Sequence, residues 1–243
     1  LTLKGHKDGI ESIAFSPDGK ILASGSDDHT AKIWDLETGE VIMTLNGQTS
    51  NVWRVAFSFD GKRLATGAFD KTARVWDLSN TKAALTLEGH TDNIQCIAFS
   101  SNGKILATGS DDHTVKIWDL EGDKEPLTFN GHTSGITSIG FVPGGKSVLS
   151  KSNDRTTKAW DLESGKETLI IKGHSPAMSA AFSPNGKKLA TGELDYSVKI
   201  WNLEDGKALL TLKGHTNIVK CIAFSPDGKR LATGTSISVE HGV

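Results

Sequence analysis

The 243-residue sequence is poor in several kinds of residue, and each shortage excludes a class of protein. Its two cysteines, Cys96 and Cys221, cannot build a disulfide framework, and their scarcity fits a reducing compartment. Lys and Arg number 27 against 29 for Asp and Glu, so a basic surface for nucleic acid is not expected. No apolar run approaches the roughly 20 residues of a membrane-spanning helix. We therefore expect a cytoplasmic protein without nucleic-acid or membrane partners.

Glycine is abundant, with 26 residues, and marks an internal repeat. Gly-His pairs begin at residues 5, 89, 131, 173 and 214, and Gly47-Gln48 fills the remaining position. The steps between these glycines are 42, 42, 42, 42 and 41 residues. Trp-Asp pairs begin at 34, 76, 118 and 160 with the same spacing, and Trp201-Asn202 takes the fifth place. The repeats predict a single domain over residues 1–243, with five full repeats and a truncated sixth, as a piece of a longer protein.

Each repeat has the pattern of four short antiparallel strands. In the third repeat these are predicted at 94–99, 104–109, 114–120 and 126–129, separated by turns rich in Asn, Asp and Gly. No segment shows a sustained helical period. A four-stranded sheet of about 42 residues cannot bury its own faces, so stacking of successive sheets is expected.

The repeated Gly-His and Trp-Asp pairs resemble the WD-repeat (WD40) β-propeller family, and the near-identical repeats look like a bacterial-type array. The resemblance implies all-β blades of four antiparallel strands around a channel. Six blades are expected, the last one incomplete and closed by the N-terminal strand, because Leu1-Thr2-Leu3 matches 43–45 at the end of a fourth strand. In the sixth repeat Ile237 and Val243 replace the expected Asp and Trp. The alternative is a segment of a longer array of seven or more blades.

The resemblance also implies a structural role for residues that could suggest chemistry. In similar blades a His, a Ser or Thr, an Asp and a Trp form a buried hydrogen-bonded tetrad. The corresponding residues here are His6, Ser24, Asp28 and Trp34; His90, Thr108, Asp112 and Trp118; His132, Ser150, Asp154 and Trp160; and His174, Thr191, Asp195 and Trp201. The second repeat has Gln48 in place of His, which leaves Thr66, Asp70 and Trp76 with a weaker partner.

An enzyme would need one site, whereas a set resembling Ser24, His6 and Asp28 occurs four times in equivalent positions. The paired acids Asp27-Asp28 and Asp111-Asp112 lack the other ligands of a calcium loop. We therefore expect no catalytic residues, no metal and no cofactor. A weak third hypothesis, an enzyme, remains beside two binding hypotheses.

The candidate partner-binding residues occupy variable positions on the face that carries the Gly-His loops. One position is at the start of the first strand, a second lies two residues earlier, and a third precedes the turn Asp. The candidates are Trp53, Phe69, Glu11, Gln95, Met178, Leu194, Ile218 and Lys220. Trp53 and Phe69 are predicted to be adjacent and partly exposed, as is common for residues in partner contacts.

The leading functional hypothesis is a non-catalytic protein–protein interaction scaffold or sensor module of a larger signalling protein. Other proteins or peptides are the expected partners, and the isolated domain is expected to be a monomer. The alternative is a propeller that binds a peptide or small ligand at the channel mouth.

Overall fold

The computed structural model describes residues 1–79, 83–122, 124–172 and 179–235. These residues form 22 strands and no helix, which confirms the all-β expectation. The strands are β1 (Ile10–Phe15), β2 (Ile21–Ser26), β3 (Thr30–Asp35), β4 (Val41–Asn46), β5 (Val52–Phe57), β6 (Arg63–Ala68), β7 (Ala73–Asp77), β8 (Ala83–Leu87), β9 (Ile94–Phe99), β10 (Ile105–Ser110), β11 (Val115–Asp119), β12 (Leu127–Phe129), β13 (Ile136–Phe141), β14 (Ser147–Ser152), β15 (Thr156–Asp161), β16 (Glu167–Lys172), β17 (Ala180–Phe182), β18 (Lys188–Gly192), β19 (Val198–Asn202), β20 (Ala208–Leu212), β21 (Val219–Phe224) and β22 (Leu231–Thr235). Within them no helix is long and apolar enough to cross a membrane.

Each full repeat contributes one antiparallel four-stranded sheet in chain order, and we call its strands a, b, c and d. The sheets are β1-β2-β3-β4, β5-β6-β7-β8, β9-β10-β11-β12, β13-β14-β15-β16 and β17-β18-β19-β20. Because the strands alternate in direction, the d–a loops and b–c turns lie at one end of a sheet, and the a–b and c–d turns lie at the other. We call the first end, which carries the Gly-His pairs, the Gly-His face.

The a–b hairpins form where Ser-Pro-Asp-Gly and its variants occur. In the first repeat the Ser16 hydroxyl donates to the Asp18 carboxylate at 2.6 Å and accepts the Ile21 amide at 3.1 Å. Gly19 follows with a φ of 69°, a conformation that glycine adopts without steric cost. This local bonding positions β1 and β2 so that the opposite end of the hairpin carries the candidate residues.

The described residues contain no strand at the N-terminus, where the sequence predicts a closing strand. Residues 1–9 form no strand, and Leu1 is 82% exposed. A methyl group built on Gly39 would lie 2.7 Å from Leu1 Cδ1, so the segment lies against the c–d turn of its own repeat. The sixth repeat contributes two strands, β21 and β22, rather than a closed sheet, and 236–243 lie outside the described residues. The predicted partner segment, 238–243, lies among these residues, so the closure of the sixth blade stays a prediction.

The chain divides into two compact units, Leu1–Phe141 and Val142–Val243. In the first unit, strand b of one repeat packs against strand a of the next, as the core of Ala23, Val52, Val55 and Leu64 illustrates. Gly25 permits this approach, because a methyl group there would lie 2.7 Å from the Val52 carbonyl oxygen. The second unit has its own small cores, one of which includes Ala190, Ile200 and Val219.

The two cysteines show how such packing depends on the following repeat. Cys96 is buried, and its Sγ lies 3.9 Å from the carbonyl oxygens of Gly109 and Ile136. Burial raises the pKa of this thiol to about 12, which keeps it protonated and unreactive. Cys221, at the equivalent position of the sixth repeat, is exposed.

Candidate partner-binding site

The first and third repeats bring their predicted tetrads together. His6 Nδ1 lies 2.8 Å from Asp28 Oδ2, and Nε2 lies 2.7 Å from the Ser24 Oγ. The indole Nε1–H of Trp34 donates to the same Oγ at 2.7 Å. With the carboxylate on Nδ1, the imidazole is best satisfied as the Nδ1–H tautomer, whose Nε2 accepts from the serine hydroxyl.

The third repeat reproduces this arrangement. His90 Nδ1 lies 2.7 Å from Asp112 Oδ2, and its Nε2 lies 2.7 Å from Thr108 Oγ1. Trp118 Nε1 donates to that Oγ1 at 2.9 Å. The side-chain polar atoms of His90, Thr108 and Trp118 in this network therefore have hydrogen-bond partners, as buried groups require.

A threonine two residues after the turn Asp adds a fifth member that the sequence analysis missed. Thr30 Oγ1 donates to Asp28 Oδ1 at 2.6 Å, and Thr114 does the same to Asp112 at 2.7 Å. Burial alone would raise the pKa of both carboxyl groups, but hydrogen bonds from the threonine, the His and a loop amide lower it well below the usual range. The recurrence of this Thr or Ser at the same spacing was the available signal.

The geometry of Ser24, His6 and Asp28 has the connectivity of a hydrolytic triad, but the serine cannot act as a nucleophile here. Ser24 is 1% exposed, and Trp34 already donates to its oxygen. The third repeat places a threonine in the same network, equally buried. The arrangement can therefore fix the d–a loop to strands b and c, but it offers no space for a substrate.

Gln48 replaces His in the second repeat and makes fewer of these contacts. Its Nε2 donates to Thr66 Oγ1 at 3.1 Å, and Trp76 Nε1 donates to the same oxygen at 3.0 Å. The Thr72 hydroxyl is a bifurcated donor. It donates to Gln48 Oε1 at 3.0 Å and to Asp70 Oδ1 at 2.7 Å. The connection between Gln48 and Asp70 is thus made through Thr72.

The remaining predicted tetrads are assembled in part within the described residues. Trp160 Nε1 donates to Ser150 at 2.7 Å, Thr156 donates to Asp154 at 2.7 Å, and His132 is buried. In the fifth repeat Trp201 donates to Thr191 at 2.7 Å, but Asp195 is exposed and His174 lies outside the described residues. Thr191 also donates to the buried Glu193 at 2.7 Å, a contact that the sequence analysis did not predict.

The candidate residues at the start of strand a lie at irregular points of the strand pairing. The a–b register shifts between Ile10 and Ser12, between Val52 and Arg54, and between Val219 and Cys221. In the third repeat the shift on strand b, between Gly109 and Ser110, skips the residue between Ile94 and Cys96. The skipped residues are Glu11, Trp53, Gln95 and Lys220. A β-bulge releases a side chain from the alternation of the strand, which explains how this position can face the Gly-His loops.

In the first three repeats the bulge residue contacts the residue that precedes the turn Asp. Trp53 and Phe69 stack with ring centroids 4.8 Å apart and an interplanar angle of 28°. Gln95 Nε2 donates to Asp111 Oδ2 at 2.7 Å. Glu11 and Asp27 meet beside Gly9, where a methyl group would lie 3.0 Å from Asp27 Oδ2 and 3.8 Å from Glu11 Oε1. Two of the three variable positions thus form a pair in each of these repeats, and we call them the bulge pairs.

The Trp53–Phe69 pair is partly exposed and carries a cation. Both side chains are of intermediate exposure, as predicted from the sequence. The Arg54 guanidinium lies 5.2 Å from the Trp53 ring centroid, and its Nη1 donates to the Trp53 carbonyl oxygen at 2.8 Å. Trp53 Nε1 is buried without a hydrogen-bond partner among the described residues. The rings and the guanidinium therefore form a mixed aromatic and cationic surface at this face.

A polar contact connects the first two bulge pairs across neighbouring repeats. Asn51 Nδ2, from the second variable position, donates to Asp27 Oδ1 at 2.6 Å. Arg54 and Glu11 also attract each other electrostatically. Sequence analysis did not identify Arg54, because only Ser and Cys stand at its position in the other repeats and no pattern marks it as functional.

Among the described residues of the second unit, no stacked aromatic pair accompanies the candidate residues. Leu194 is 51% exposed, Lys220 is exposed and Ile218 is half-buried. Met178 lies outside the described residues, so its predicted place beside Leu194 stays a prediction. The strongest candidate surface is therefore formed by the bulge pairs of the first unit.

Comparison with known families agrees with this architecture. The family model described as IFT122 first beta-propeller matches residues 51–204, and the model described as WD domain, G-beta repeat matches 1–35 and 206–238. The chain belongs to the WD-repeat β-propeller family. Members of this family generally act as interaction modules without catalysis of their own, and no enzyme family was found.

Individual relatives match over about one repeat. A nuclear distribution protein PAC1 of Ajellomyces capsulatus (strain H143) is 58% identical over 43 residues, 18% of this chain and 9% of that protein. A ribosome biogenesis protein BOP1 homolog of Drosophila virilis is 48% identical over 44 residues, 18% and 6% respectively. The vegetative incompatibility protein HET-E-1 of Podospora anserina is 58% identical over 38 residues, 16% and 3%. The chain thus spans less than a tenth of these relatives, which are eukaryotic and give no support to a bacterial-type array.

Proposed function

We propose that this chain is a protein–protein interaction scaffold or sensor module of a larger, signalling protein in the cytoplasm. The observation that carries the proposal is the Trp53–Phe69 stack, a partly exposed aromatic pair on a β-bulge at the Gly-His face. Exposed aromatic and Arg side chains recur in the residues that dominate protein interfaces. The buried tetrads are consistent with this proposal, because they fix the loops around the aromatic pair.

The proposed partners are other proteins or peptides, and the isolated chain is proposed to be a monomer. The net charge of −2 gives no basis for a polyanion partner. The processes in the relatives' names, nuclear distribution, ribosome biogenesis and vegetative incompatibility, are not carried over, because each likeness covers about one repeat.

Affinity capture with the purified chain from extracts of its native organism tests the proposal, followed by measurement of Kd for the captured partner. Trp53→Ala is expected to weaken binding by about 2 kcal/mol or more, which is roughly a 30-fold rise in Kd. Thermal unfolding should change little, since the ring is partly exposed and its Nε1 makes no hydrogen bond to the described residues.

Phe59→Ala is the matched control. Phe59 belongs to the same repeat and is 75% exposed, but it lies at the a–b turn on the opposite face. Its loss should leave the partner's Kd unchanged. Equal affinity of the wild type and Trp53→Ala, or a loss confined to Phe59→Ala, would remove the bulge pairs from the proposed function.

A further inference from the structure

The bulge pairs of the first two repeats differ in charge as well as in size. The first pair consists of two carboxyl groups, Glu11 and Asp27, whose oxygens Oε1 and Oδ2 both lie within 3.8 Å of a methyl group built on Gly9. The second consists of two aromatic rings, Trp53 and Phe69. Asn51 links them by donating to Asp27 at 2.6 Å, so the acidic pair and the aromatic pair belong to one continuous surface.

The positive charge that acts on Glu11 comes from Arg54. Partial burial raises the pKa of the Glu11 carboxyl, the nearby charge of Asp27 raises it further, and the charge of Arg54 opposes the rise without cancelling it. Arg54 itself is drawn toward the aromatic pair, with its guanidinium over Trp53 and its Nη1 on the Trp53 carbonyl oxygen. An additional cation at Glu11 and Asp27 would therefore be stabilised.

We propose that the surface formed by Glu11, Asp27, Trp53 and Phe69 binds an extended segment of a partner protein through a lysine or arginine side chain. The Glu11 and Asp27 carboxylates hold the charged end. The Trp53 and Phe69 rings pack on the neighbouring apolar part of the segment. This inference rests on the proposed function and adds the chemistry of the partner to it.

The third repeat supports the choice of a basic segment over an acidic one. Its bulge pair, Gln95 with Asp111, adds a third carboxylate to the same face, and none of the six residues in the three bulge pairs is cationic. The neighbouring cation Arg54 already lies over the Trp53 ring. A metal ion is a poorer occupant than a basic side chain, because a divalent cation prefers six or more oxygen ligands, whereas the pair supplies two carboxyl groups.

Selection of random twelve-residue peptides displayed on phage against the purified chain tests the inference. Selected peptides are expected to be enriched in Lys or Arg beside an apolar residue. Binding of the strongest synthetic peptide should weaken about tenfold in the double variant Glu11→Gln and Asp27→Asn. Higher salt should weaken binding to the wild type more than to this variant, since salt screens exposed charges.

The double variant Glu37→Gln and Glu40→Gln is the control. It removes the same charge from the same repeat at the c–d turn, where both side chains are exposed, and it should bind the peptide as the wild type does. Selected peptides without basic residues, or equal loss in both double variants, would overturn the inference. If such peptides still lose affinity in Trp53→Ala, the proposed function stands and only its assigned chemistry fails. Absence of any selected peptide that Trp53→Ala weakens would count against both.

Discussion

The first and third repeats have nearly the same sequence but different surroundings. GKILASGSDDHTAKIWD (19–35) and GKILATGSDDHTVKIWD (103–119) differ at two positions. Their tetrads are alike, yet Ile10 in β1 is 54% exposed whereas Ile94 at the same position of β9 is fully buried. A methyl group on Gly67, in strand b of the preceding repeat, would lie 2.8 Å from Ile94 Cγ2, and β9 packs against β5 and β6 of that repeat. In contrast, β1 packs mainly against β2 of its own repeat and β5 of the following one. Burial of strand a is therefore contributed by the neighbour rather than by the repeat's own sequence.

The largest expected effect tests this difference directly. Ile94→Ala should destabilise the protein by about 2–5 kcal/mol, because it opens a cavity between two packed sheets. Ile10→Ala removes the same atoms from an exposed face and should cost less than about 1 kcal/mol. Urea unfolding followed by tryptophan fluorescence measures both values. Similar losses for the two variants would mean that β1 is covered in solution, and the contrast between the repeats would disappear.

The tetrads are expected to contribute equally to stability in the first and third repeats, because each tetrad is built from residues of a single repeat. Asp112→Ala should cost about 1–3 kcal/mol by leaving His90 and Thr114 without their acceptor. Asp28→Ala should cost a similar amount, because His6 and Thr30 make the same bonds in the first repeat. Chemical denaturation at pH 7 compares the two. A negligible cost for either one would show that its tetrad does not contribute to stability.

The acid dependence of stability should follow from the same carboxylates. Their pKa is lower in the folded than in the unfolded state, so their contribution is present above the unfolded value of about 4 and is lost as the pH falls below it. The wild type should therefore lose stability between about pH 5 and pH 2 more steeply than the double variant Asp28→Asn and Asp112→Asn. Parallel pH profiles of unfolding free energy would contradict this assignment.

Much of the architecture could be predicted because every repeat carries the same sequence pattern. The four-strand pattern, the turn positions and the members of the tetrads recur at a fixed spacing, so each copy corroborates the others. Trp53 and Phe69 could be placed together because both depart from the repeat at positions that face the same way. Their β-bulge could not be predicted, since a register shift leaves no mark on the order of polar and apolar residues.

The repeat pattern does not predict local features that depend on residues packed from neighbouring repeats. Lys151 stands where other repeats have glycine, yet it is 1% exposed. Burial lowers its pKa to about 8, and the charge of Glu193 opposes that change. The following first strand, β17, has three residues where β13 has six. The position of Leu1–Leu3 likewise depends on what lies beside it, because so short a segment has no strong structural preference of its own.

The smallest expected effect concerns the second repeat, where the tetrad has lost its His. Gln48→His should stabilise the protein by about 0.5–1 kcal/mol, because an imidazole could donate from Nδ1 to Asp70 while its Nε2 accepts from Thr66. The gain is limited because Thr72 already donates to Asp70 at 2.7 Å, and Gln48 already donates to Thr66 at 3.1 Å. The reverse change in the third repeat, His90→Gln, is the control and should destabilise by a comparable or larger amount. Thermal unfolding of both variants measures the pair. A lower midpoint for Gln48→His would mean that the second repeat has adapted its loop to glutamine and that its tetrad is not equivalent to those of the first and third repeats.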